Sequence, residues 1–180
     1  MTKSPALYSL ALLAVTLAKS IHAFESGWEY RQAANCSTIV EIICDADNNL
    51  TTETLCDAIR LAGLEDDIDT DTFTLFAPTD EAFGSLPENV VSELLDGDDI
   101  RGLIDLLAYH TVPERNVLTT DLKCDSRIFM GNEDYSVTIC EGEKTFQVGV
   151  ENPTSHYPEI LSSNIDACNG IIHTISEVML

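Results

Sequence analysis

The thirteen residues from Asp71 to Phe83, DTFTLFAPTDEAF, leave this chain little choice of local structure. Alternation sets Phe73 and Leu75 on one face and Thr72, Thr74 and Phe76 on the other, which predicts a strand buried on at least one side. Pro78 stops it, having no N–H to offer a ladder. Thr79 is placed to cap a following helix, and Asp80 and Glu81 fall in its first turn, where unpaired backbone N–H groups favour negative charge. A strand that runs straight into a capped helix is architecture before it is a site.

The first residues stand apart. Lys3 gives a short basic start, Ala6 to Ala18 is an apolar run, and Ile21-His22-Ala23 ends in a small residue suited to cleavage. Residues 1–23 therefore read as a secretory signal peptide, too short in its apolar part for the roughly 20 residues of a membrane span. About 157 of the 180 residues remain, enough for one domain that buries ~70% of the surface of its unfolded chain. No second long apolar segment and no spacer with a hydrophobic tail for a lipid anchor follows, so a secreted product without stable membrane insertion is expected. Of the 9 basic residues, Lys3 and Lys19 leave with the signal peptide, whereas all 31 acidic ones stay. Such a balance excludes nucleic acid as a partner and leaves room for weak divalent cation binding or a basic partner.

All six cysteines lie beyond the cleavage point, and an even set in an exported chain favours disulfides. Spacing favours Cys44–Cys56 and Cys124–Cys140, with Cys36 left for Cys168, out of fifteen possible pairings. No two cysteines have the short spacing of a zinc site.

Residues 24–36 form a polar lead-in without periodicity. Ile39, Val40, Ile42 and Ile43 then have helical spacing after a cap at Ser37 or Thr38, and Leu55, Ala58, Ile59 and Ala62 mark a second helix that ends at Gly63. Glu65 to Asp71 reads as a solvated connection. After the opening strand, Ser85-Leu86-Pro87-Glu88 resembles a capping box with proline in the first helical position, and Gly97 closes that helix. Ile100, Leu103, Ile104 and Leu107 form the stripe of the next one, from which Tyr109-His110-Thr111-Val112 continues as an extended segment up to Pro113. Arg127 to Met130, Tyr135 to Cys140, Thr145 to Val150 and Ile171 to Val178 read as strands, with Asn169-Gly170 as a turn that tolerates positive φ. Helices first and strands later argue for an α+β fold.

Three segments, TFTLFAPTDEAF, LLAYHTVPERNVLTTDL and NGIIHTISEVML, resemble in order and spacing the signature blocks of the fasciclin-type adhesion domain. The likeness spans residues 37–180. It implies a wedge of two β-sheets with several helices, mostly in the N-terminal half, acting in adhesion without chemistry and without cofactors. The signature positions it marks are Phe73, Phe76, Pro78, Thr79, Asp80, Phe83, Tyr109, His110, Asn169, Gly170 and His173. Asp71-Thr72 stands where the family usually has Gly-Pro, and no Arg-Gly-Asp tripeptide occurs, which weakens any inference to integrin-type recognition.

Tyr109 and His110 match a tyrosine-histidine pair that lies in a cell-binding segment of some animal members. A buried structural histidine is the stronger reading, with Asp80 or Thr79 as its expected partner, because an unpaired buried polar group is costly. His173, on a face with Ile171 and Ile175, reads as a hydrogen-bonded histidine at the core edge, and His156 as exposed. Asp45, Asp47 and Asn49 begin like a calcium loop, but Leu50 and Cys56 stand where glycine and glutamate are needed; the Asp67, Asp69, Asp71 run fails in the same way, and no metal site is expected. No nucleophile elbow, zinc-binding helix motif or phosphate loop is present. Asn49 and Asn35 are candidate N-glycosylation sites, whereas Pro153 disqualifies Asn152. The sequence thus reads as a secreted non-enzymatic binding module whose protein or carbohydrate partner is unnamed, the alternatives being an acidic secreted hydrolase or an acidic matrix protein that binds mineral or divalent cations.

Overall fold

The computed structural model describes residues 36–47, 49–97 and 99–180; the expected signal peptide, most of the lead-in and Asn35 lie outside them. Within Ser37–Leu180 the elements run α1 (Ile39–Ile43), α2 (Glu53–Ala62), α3 (Glu65–Thr70), β1 (Phe73–Pro78), α4 (Asp80–Gly84), α5 (Glu88–Leu95), α6 (Ile100–Tyr109), β2 (Thr111–Pro113), β3 (Arg127–Phe129), β4 (Tyr135–Glu141), β5 (Lys144–Val148), β6 (Ile160–Ala167) and β7 (Gly170–Ile175). The strands form a four-stranded sheet in the order β2-β1-β7-β6 and a three-stranded sheet in the order β3-β4-β5. β1 and β7 run parallel and every other pair is antiparallel.

β1 and β7 fill the middle of the larger sheet, and every residue of both is buried. Alternation along β1 sends Phe73, Leu75 and Ala77 into a core shared with Ile39, Ile59, Leu103 and Leu107 of the helices. Phe76 points the other way, into a second core with Tyr109, Ile128, Met130, Ile175 and Met179. The larger sheet therefore carries a core on each face. That explains why both faces of the opening strand are apolar except at Thr74, whose hydroxyl donates to the Arg115 carbonyl (2.8 Å) and accepts from Val117 N–H (2.7 Å).

Local signals set the helix ends. Thr38 and Glu41 close a reciprocal capping box on α1, with N–H to side-chain oxygen distances of 3.2 and 2.9 Å. α2 stops at Gly63, at φ +67°. Disulfides Cys44–Cys56 and Cys124–Cys140 join α1 to α2 and the loop before β3 to β4, and none of the described cysteines is free.

Several expectations need correction. Glu65–Thr70 is a helix, not a solvated connection: Ile68 packs against the helical core and its carbonyl accepts from the Asn169 side chain (2.6 Å). Ser85 does not cap α5. It ends α4, donating to the Glu81 carbonyl (3.0 Å), and Pro87 is the N-cap, with no side-chain bond there. Tyr109 is the last helical residue of α6, so only Thr111–Pro113 is extended, and Ile104 is 37% exposed. β6 was not anticipated, since four of its residues in a row face solvent. Neither Asn169 nor Gly170 has positive φ. Gly170 is required for another reason: it lies opposite Phe73 in the parallel ladder, where a Cβ would collide with the Phe73 carbonyl oxygen.

Candidate functional site

The signature residues lie along the paired strands β1 and β7, from Phe73 opposite Gly170 at one end to Pro78 at the other, and at the end of α6. Thr79 accepts from Ala82 N–H (3.3 Å) and so caps α4, the helix it begins. Asp80, the next residue, caps a different helix. Its carboxylate accepts from Thr54 N–H (2.7 Å) at the start of α2, where Thr52 makes no side-chain cap, and its own N–H donates to the Thr51 carbonyl (2.7 Å). Pro78 and Phe83 are buried beside them.

His110 closes α6 and is 2% exposed. Its partner is neither Asp80 nor Thr79, both occupied as helix caps. Nδ1 lies 2.7 Å from the Leu106 carbonyl and Nε2 accepts from Met179 N–H at 3.0 Å, which fixes the neutral tautomer with its proton on Nδ1. Burial lowers its pKa to about 4, against the upward pull of the Leu106 bond. His173 lies inside the core, not at its edge, stacked on Phe76 with centroids 5.4 Å apart. It takes the other tautomer: Nε2 donates to the Val117 carbonyl (2.8 Å) and Nδ1 accepts from Asn164 N–H (3.4 Å). Its pKa is also lowered by burial, opposed by the Val117 bond.

Tyr109 reaches toward the smaller sheet. Its hydroxyl donates to the Tyr135 carbonyl and accepts from Val150 N–H, each at 3.0 Å. Burial raises its pKa, the Val150 bond opposes this, and Asp134 and Glu151 nearby add to the rise. Asn169 holds two helices with one amide: its oxygen accepts from Ile39 N–H (2.9 Å) while its nitrogen bonds Ile68. Asn152 was missed as a structural residue. Its oxygen accepts from Gly149 and Leu180 N–H (2.9 and 3.0 Å) and its nitrogen donates to the Val178 carbonyl (2.8 Å), so it fastens the segment that also bonds His110. Only its spacing to those backbone groups reveals this role, and sequence does not display that spacing.

Two clefts flank Asp80. One of about 450 Å³ lies over the Cys44–Cys56 bridge, with Asp45, Glu53, Asp57 and Arg60 on its walls. The other, about 530 Å³, runs along Phe83, Leu86, Val91 and Leu95. Among the described residues no group of three or more His, Cys, Asp or Glu is placed to hold a metal ion, and no helix is long and apolar enough to cross a membrane. His156 is exposed next to Ser155, and Asn49 is exposed in its turn; Asn35 lies outside the described residues.

The family model of the Fasciclin domain matches residues 50–180. Protein sll1483 of Synechocystis sp. is 31% identical over 176 residues, covering 96% of this chain and 90% of that protein. Transforming growth factor-beta-induced protein ig-h3 of Oryctolagus cuniculus is 32% identical over 116 residues, which are 59% of this chain but only 14% of that longer protein. A solved FAS1 domain pair from the insect cell adhesion molecule Fasciclin I shares the fold, with a TM-score of 0.67 at 13% identity over 80% of this chain and 51% of that one. A family match that runs from α2 through β7 to Leu180, on a fold shared with a solved FAS1 pair, establishes that this chain belongs to the fasciclin domain family.

Proposed function

We propose that this chain is a secreted, non-enzymatic binding module acting in cell adhesion or extracellular-matrix contact. One observation carries the reading. The signature side chains Thr79, Tyr109, His110 and His173 spend their polar atoms on backbone groups inside the domain, and Asp80, which borders two clefts, uses its carboxylate to cap α2. What remains for function is the solvent-facing surface. Two disulfides suit an oxidising compartment, and the solved relative comes from a cell adhesion molecule. Cell attachment to the immobilised, oxidised protein tests the reading, with reduced and denatured protein as control. Dose-dependent attachment supports it; turnover of a glycan or ester panel without attachment overturns it in favour of the hydrolase.

A further inference from the structure

The smaller sheet has its polarity reversed. The register of β3, β4 and β5 places Phe129, Tyr135, Val137, Ile139, Phe146 and Val148 on one face and Ile128, Ser136, Thr138 and Gln147 on the other. The polar face is the inner one. Ser136, Thr138 and Gln147 are 0% exposed and satisfy one another: Gln147 Nε2 donates to Ser136 Oγ (2.6 Å), Thr138 Oγ1 donates to Gln147 Oε1 (2.8 Å), and Ser136 Oγ–H points at Met130 Sδ (2.9 Å).

The apolar face looks outward. Phe129 and Tyr135 are 45% and 44% exposed and pack edge to face with centroids 5.3 Å apart. Val137, Ile139 and Phe146 are half-buried, and Val148, at the end of β5, is buried, so the open part of the face is Phe129, Tyr135, Val137 and Ile139 with Phe146 at its border. Tyr157 packs edge to face on Phe146, at the β5 side of the face. Single exposed apolar residues are ordinary, whereas a contiguous apolar sheet face is the mark of an interaction surface.

Charge selects what covers it. The turn before β4 carries exposed Glu133 and Asp134, and exposed Glu141 ends the strand with Glu143 in the turn after it. Of the two basic residues on this face, Lys144 is held by Glu159 at 2.6 Å, which leaves Arg127. A second copy would bring the same acidic turns and a formal net charge of −22 against its own kind. A partner with basic ends gains from both turns. Resting on the reading of this chain as a binding module, we infer that the outer face of β3-β4-β5 docks an extended protein segment whose apolar stripe is bracketed by lysine or arginine. β4 rises about 3.3 Å per residue, so its seven residues separate the acidic turns by roughly 20 Å, a span of six to seven extended residues in the partner.

The test uses the oxidised protein and a fluorescein-labelled twelve-residue peptide, eight alternating valines and threonines between two lysine pairs, against the same peptide with glutamates. Saturable binding of the lysine peptide that weakens with salt is expected. Phe129→Ser with Tyr135→Ser should weaken it at least tenfold, whereas Leu161→Ser, at an apolar residue 52% exposed on β6, should leave it unchanged. Glu133→Lys with Glu141→Lys, which leaves every apolar side chain in place and neutralises the two ends against Asp134 and Glu143, should abolish the preference for the lysine peptide over the glutamate one. No binding, equal binding by the Phe129/Tyr135 variant, or better binding of the glutamate peptide or of neutral oligosaccharides overturns the proposal. The attachment assay separates the two readings. Attachment that survives loss of the aromatic pair sinks this surface and spares adhesion; peptide binding without any attachment sinks adhesion and spares the surface.

Discussion

His110 makes the domain's stability depend on pH in a way that one substitution isolates. The imidazole is buried and neutral, with a pKa near 4 in the folded protein against an ordinary value of 6.5. Between those values the unfolded chain holds the proton more tightly than the folded one, so stability falls as pH falls. The contribution is complete above pH 6.5, drops by about 2 kcal/mol by pH 5 and by about 3 kcal/mol by pH 4, and levels off below. Geometry gives the same sign. A second proton would go on Nε2, which already accepts from Met179 N–H, so protonation both buries a charge and sets two donors against each other.

The 31 acidic residues work in the opposite direction, because their neutralisation relieves repulsion, and they mask the effect in a single pH profile. The informative quantity is the difference between the wild type and His110→Gln, which keeps an acceptor for Met179 but cannot titrate. Losing the partner of the buried Leu106 carbonyl costs the variant about 1–3 kcal/mol at pH 7. Urea unfolding of the two proteins from pH 8 to pH 4 should show that gap shrinking by about 3 kcal/mol, through zero and into the variant's favour where the initial cost is small. His173 and the carboxylates cancel in the difference. A gap that stays constant within 1 kcal/mol, or a His110 resonance titrating near 6.5, refutes the reasoning.

Asp80→Ala should lower Tm by roughly 3 °C, the equivalent of one helix cap of about 1 kcal/mol, whereas Asp80→Asn retains the acceptor for Thr54 N–H and should lose less; calorimetry of the three proteins decides. Gly170→Ala should cost at least about 3 kcal/mol, because relieving the collision with the Phe73 carbonyl shifts the parallel ladder itself; urea midpoints measure it, and near-wild-type stability contradicts the close approach. Cys36 and Cys168 are proposed as the third bridge, and a non-reducing digest should yield a peptide pair linking them that disappears on reduction.

What the sequence displays locally, it displays well. The Thr38 box, the Gly63 stop and the Thr79 cap each depend on residues within four positions of one another, and each is legible as spacing. Partners distant along the chain are not. Met179 lies 69 positions from His110, and Asp80 caps a helix that begins 27 residues before it, so neither bond has a sequence pattern. β6 is not legible in the sequence, because an edge strand with solvent on one side, a left-handed Asn164 and two register shifts has no alternation to read. α3 was hidden by its acids, with Ile68 alone tying it to the core. In β4 the alternation is plain, but period two states only that the faces differ. It does not say that Ser136 and Thr138 go inside and Val137 and Ile139 outside; that is decided by Gln147 and Met130 across the sheet.

The signature positions share a mode of contact that accounts for their identifying a family without defining what it binds. Asp80 bonds the Thr54 amide, His110 the Leu106 carbonyl and the Met179 amide, Asn169 the Ile39 amide and the Ile68 carbonyl, and His173 the Val117 carbonyl. Gly170 makes room for a carbonyl of Phe73. While the signature phenylalanines pack on side chains, each of these polar contacts is to main chain. Such a contact requires a particular backbone path and places no demand on the side chain at the other end, so the outward residues of the same elements are free of it. The interior lattice thus fixes where β1, β7, α6 and the 178–180 segment lie, while the charges and rings displayed on the smaller sheet can change with no penalty to that lattice. A binding specificity built on this scaffold belongs to residues such as Phe129, Tyr135 and Glu133, which the signature does not include.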